Sequence, residues 1–140
     1  MRIFFLVSAF LFAGCATSPK DNPDNITVTS IKTLAAGECG LYVWTGDAKK
    51  TFTLFAGPSE VSYLTGGKTM TLTEKNPTTP PTSNREFMDI EGKVLTLTLL
   101  SPQEIEGGIR YKAGRLTSVS DDGWEKVVPI VGLYACQALA

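Results

Sequence analysis

Histidine is absent from the 140 residues. Catalysis of the Ser-His-Asp or Cys-His kind therefore has no base to draw on, and the commonest transition-metal ligand is missing. Neither sign of charge is in surplus: 13 Lys and Arg stand against 14 Asp and Glu. Such a balance gives no electrostatic reason to hold nucleic acid or an anionic membrane surface. Long apolar runs are also scarce. The one candidate, Ile3 to Phe12 (IFFLVSAFLF), would be about 15 Å long as a helix, against about 30 Å for a bilayer core. It is too short to span. Leucine-rich helical spacing with caps is found nowhere. These absences argue against an enzyme, a metal site or a bound cofactor.

What the chain has instead is an address. Met1 and Arg2 precede the apolar run, and Ala13-Gly14-Cys15 closes it where the sequence turns polar. That is the pattern of an export signal with small residues at its cleavage site. The stretch Leu11-Phe12-Ala13-Gly14-Cys15 resembles the lipobox of bacterial prolipoproteins. The resemblance implies that Cys15 is lipidated and becomes the N-terminus of the mature chain. Several acyl chains make a stable membrane anchor where one would not. Ala16 stands where lipoproteins kept at the inner membrane often carry Asp. The expectation is thus an outer-membrane lipoprotein facing the periplasm. The chain divides into a signal peptide (1–14), a lipidated N-terminus and polar tether (15–25), and one domain (26–140).

With Cys15 given to lipid, Cys39 and Cys136 remain as an even pair in an oxidising compartment, which predicts a disulfide. The segments between them read as strands. Ile26–Leu34 is rich in β-branched residues and reads as a peripheral strand. Cys39–Thr45 alternates, with Leu41 and Val43 on one face and Tyr42 and Trp44 on the other. In Val61–Thr73 a two-residue Gly66-Gly67 turn sets the hairpin register. Thr65 then opposes Lys68, Tyr63 opposes Met70 and Val61 opposes Leu72, so four apolar side chains share a face. Asn76–Asn84 holds three prolines and reads as loop. A further hairpin turns at Glu91-Gly92, with Ser101-Pro102 ending its second limb. Gln103–Gly114 reads as irregular or partly strand-like, and Asp121-Asp122-Gly123 as a tight turn. Pro129 predicts an edge or bulge. About eight to ten short strands with frequent turns make an all-β domain, an antiparallel barrel or sandwich closed by one disulfide.

Few constellations carry chemistry. Glu104 and Glu106 lack a pocket, and Asp121-Asp122 lacks the alternating oxygen ligands of a calcium loop. Arg110, Tyr111, Lys112 and Arg115, flanked by glycines, form the concentrated basic patch and the candidate binding loop. Tyr42, Trp44 and Trp124 are aromatics suited to a ligand mouth or an interface. The lipidated cysteine, short tether and β domain bracketed by Cys39 and Cys136 resemble the membrane-bound inhibitors of c-type lysozyme. Gly107-Gly-Ile-Arg-Tyr111 is loosely similar to the loop those inhibitors present to the lysozyme cleft. The resemblance implies a non-catalytic lipoprotein whose loops bind an envelope protein or lysozyme. The alternative is a lipocalin-like carrier, with an apolar ligand in a lumen lined by Val61, Tyr63, Met70 and Leu72.

Overall fold

The computed structural model describes residues 33–77 and 83–139. Cys15, the tether, residues 26–32 of the expected first strand and residues 78–82 of the Pro-rich loop lie outside them. Thr33 and Leu34 are not in a strand.

Among the described residues the chain forms eight strands: β1 (Cys39–Thr45), β2 (Phe52–Ala56), β3 (Val61–Thr65), β4 (Lys68–Lys75), β5 (Asn84–Met88), β6 (Val94–Ile105), β7 (Gly108–Val119) and β8 (Glu125–Cys136). Each pairs antiparallel with its sequence neighbour, and β1 pairs with β8, which closes the sheet into a barrel. Barrel, not sandwich, is the outcome. The closing seam runs in one register from Cys39 opposite Cys136 to Thr45 opposite Ile130. Cys39 and Cys136 are disulfide-bonded across it, 97 residues apart in sequence. The β3–β4 hairpin has the register its Gly-Gly turn predicts, with Tyr63 opposite Met70 and Val61 opposite Leu72. Both turn glycines have positive φ, 55° and 75°, where a Cβ would be strained.

Alternation sorts each strand into an inward and an outward row. Leu41, Val43, Leu54, Phe87, Leu97, Leu99 and Ile130 point inward and are almost fully buried. The outward rows differ around the barrel: Thr69, Thr71 and Thr73 on β4 and Arg110 and Lys112 on β7 are polar and exposed, whereas β8, β1 and β2 carry Val131, Leu133, Tyr42, Trp44 and Phe55 there.

One expectation is corrected and another narrowed. Ser101-Pro102 does not end a strand: β6 runs on to Ile105, paired with β7 from Leu95 onward except at Ser101, whose φ is 53°. Beyond Thr98, β6 pairs with β7 and no longer with β5, so the missing N–H of Pro102 breaks no ladder on that side. Of the two readings of Gln103–Gly114, irregular or partly strand-like, the second holds. The stretch is the end of β6, a tight turn at Glu106-Gly107 and the start of β7. Gly107 takes φ 82°, which the turn requires. The bulge expected at Pro129 is found. Between Tyr111 opposite Gly132 and Arg115 opposite Pro129 the register shifts, with one extra residue on β7.

Candidate functional site

The barrel has two ends. The β2–β3, β4–β5 and β6–β7 connections lie at the end bearing the disulfide. The β1–β2, β3–β4, β5–β6 and β7–β8 turns lie at the other, where a cavity of about 360 Å³ opens. Its floor is apolar: Tyr63, Met70, Leu72, Leu95, Leu116 and Val128. Thr65, Asp89, Glu91, Lys93, Ser118 and Lys126 supply the polar lining. Of the four residues expected to line a lumen, Tyr63, Met70 and Leu72 do so. Val61 is buried in the packed core instead.

The mouth is held by its turns. Asp89 accepts hydrogen bonds on one carboxylate oxygen from the backbone N–H groups of Glu91 and Lys93, each at 2.9 Å. Lys93 then reaches Asp121 of the β7–β8 turn at 3.0 Å and Glu91 at 3.4 Å. The carboxylates of Asp121 and then Glu91 hold its ammonium above the usual lysine value. The Asp121-Asp122-Gly123 turn thus has a structural partner across the mouth. Exposed apolar side chains crowd the same end: Ile90 is 96% exposed and Trp124 78%, with Val94, Val119 and Val127 also open. Single exposed apolar residues are ordinary on any protein; here five share one end of the barrel.

Toward the other end the lumen is filled. Glu74 and Arg85 face inward with side chains 7% and 8% exposed. Arg85 donates through Nε and Nη2 to the two Glu74 carboxylate oxygens, the second bond at 2.6 Å, and stands over the Phe87 ring at 5.6 Å. This is the bidentate fork that lets two charges be buried together. Tyr111 sits beside it, and burial raises its hydroxyl above the ordinary tyrosine value, with nearby Arg85 opposing the shift. Among the described residues no buried side-chain nitrogen or oxygen lacks a partner.

Comparison with protein-family models, with curated proteins and with solved structures finds no match. The chemistry must be read from the residues alone.

The expected binding residues fall elsewhere. Arg110, Tyr111, Lys112 and Arg115 form part of strand β7, not a loop. Tyr111 points into the core at 5% exposure, while Arg110, Lys112 and Arg115 project outward. The strand alternation that separates them was masked by the glycines on either side. Glu104 and Glu106 are exposed, one on β6 and one in the following turn, and neither lines the mouth cavity. Tyr42 and Trp44 lie outside the barrel, in an aromatic cluster with Phe52 and Phe55. Tyr42 and Phe55 have ring centroids 5.0 Å apart, and Trp44 meets Phe52 edge-on at 5.8 Å. Of the three aromatics only Trp124 belongs to a turn at the cavity end, and none of them lines the cavity. Ile90, Lys93, Ser118 and Lys126 were not singled out by sequence. Parity with the core would have found the last two, since Ser118 follows Leu116 by two and Lys126 precedes Val128 by two.

Proposed function

We propose that this domain is a non-catalytic binding barrel of the lipocalin-like kind, held in the cell envelope by a lipid anchor at Cys15. Its ligand is a small apolar molecule taken into the mouth cavity. One observation carries the reading: a hollow of about 360 Å³ with an apolar floor, in a barrel whose remaining interior is packed. Ligand pockets of about 300–1,000 Å³ with mostly apolar walls and a few polar groups are the usual dimensions for such binding. An empty hydrophobic hollow also forfeits dispersion contacts that a ligand would restore.

The test is titration with a neutral apolar fluorophore such as N-phenyl-1-naphthylamine. Saturable fluorescence enhancement is expected from the parent protein. Met70→Trp, which fills the hollow from its floor, should abolish it while the barrel stays folded. Fluorescence that never saturates in the parent would overturn the reading.

A second reading rests on a separate observation, the three cationic side chains that β7 presents outward. Arg110, Lys112 and Arg115 form a basic row suited to an acidic protein surface, in keeping with the resemblance to lysozyme inhibitors. It requires that the domain lower c-type lysozyme activity; no effect at micromolar excess rejects it.

A further inference from the structure

Resting on the cavity reading above, we infer that the ligand is an amphiphile with an anionic head, received at the rim by Lys126 with Ser118 beside it. The polarity of the lining runs in one direction. On β8 the inward row is Ile130, Val128 and Lys126; on β7 it is Leu116 and Ser118. Ile130 is closed core, Leu116 and Val128 border the hollow at its floor, and Lys126 reaches the open end. Four residues of strand at 3.3–3.4 Å each place the cation about 13 Å along the wall from Ile130. An apolar tail along that wall with a charged head at its end matches this order of side chains.

The sign of the head follows from which charges are already spoken for. Four charged residues line the hollow: Asp89, Glu91, Lys93 and Lys126. Asp89 receives two backbone N–H groups in its own turn. Lys93 lies between Glu91 and Asp121, so its ammonium is already held by two carboxylates. Lys126 forms no ion pair with any described residue. Ser118 stands directly opposite it in the β7–β8 register, on the same inward face. Side chains so opposed have Cβ atoms about 4.5–5.5 Å apart. An ammonium and a hydroxyl at that spacing are two donors for one carboxylate. A cationic or uncharged head would leave the ammonium unanswered.

The proposal is tested by displacing the neutral fluorophore with three ten-carbon amphiphiles: decanoate, decanol and decyltrimethylammonium. Decanoate is expected to bind about tenfold tighter than decanol, since a charge-assisted hydrogen bond contributes about 1.5–3 kcal/mol and about 1.4 kcal/mol is a tenfold change. Decyltrimethylammonium should be weakest. In Lys126→Met, an exposed position where the apolar stem is kept, the decanoate-over-decanol ratio should fall to near one. Equal affinity for decanoate and decanol in the parent, or an unchanged ratio in Lys126→Met, overturns the head assignment while leaving the cavity reading intact. Failure of the fluorophore and all three amphiphiles to bind overturns both.

Discussion

Leu97 and Met70 occupy equivalent inward positions on the same closed sheet, yet one is fully buried in packed core and the other borders a hollow. Around Leu97, strands β1, β2, β5 and β6 send in large aliphatic and aromatic side chains, and the buried Glu74–Arg85 pair fills what they leave. Around Met70, the inward places nearest the mouth are held by Thr65, Ser118 and Lys126, which are too short or too polar to meet in the middle. A barrel of eight strands is just wide enough for side chains to fill or for one small ligand to enter. In this chain both solutions are present, one above the other.

The filled half is most easily broken at its charges. Arg85→Ala should lower stability by about 3–5 kcal/mol, because Glu74 is left buried without its counter-ion. Arg85→Met combined with Glu74→Leu should recover most of that loss. Urea denaturation of the two variants beside the parent checks both, and equal loss in the single and double variants would refute the explanation.

Next in size is the contrast between the two positions themselves. Leu97→Ala should cost about 2–5 kcal/mol as a closed cavity forms. Met70→Ala only enlarges a space that already opens to solvent, and should cost less than half as much in the same assay.

The smallest effect is one of pH. Because the Tyr111 hydroxyl is raised above its ordinary value of 10.0, its neutral form is favoured in the folded barrel. The stability it contributes is whole below about pH 10 and declines as pH rises toward the folded value, where the unfolded chain loses its proton first. Tyr111→Phe should flatten the alkaline limb of the stability profile relative to the parent, leaving neutral pH little changed in slope.

How far the sequence foretold this contrast depends on parity. Where a run alternated between flanking turns, as in Cys39–Thr45 and Val61–Thr73, faces and register followed directly, because a side-chain period of two and a two-residue turn leave no freedom. The buried pair went unread, although Arg85 keeps step with Phe87, and Glu74 with Met70 and Leu72; only a partner from another strand lets either charge be buried. Glycine and proline misled in the opposite direction. Gly107, Gly108 and Gly114 with Pro102 suggested a loop over Gln103–Gly114, but one serves a hairpin turn, another meets the β8 backbone so closely that no Cβ would fit, and a third lies in a bulge. The hollow was the least legible feature. It exists because small and polar side chains from three separate hairpins meet at one height, which shear decides and no single segment reveals.

The bond between Cys39 and Cys136 has a mechanical meaning. The two residues stand at the first position of β1 and the last of β8, so all eight strands lie between them. Tension between the segments before residue 39 and after residue 136 therefore passes through one sulfur–sulfur link and bypasses every hydrogen bond of the sheet. Pulled at those points, the oxidised protein has almost no contour length to release. Reduced, the same pull would open the seam between β1 and β8 and unzip the barrel from its edge.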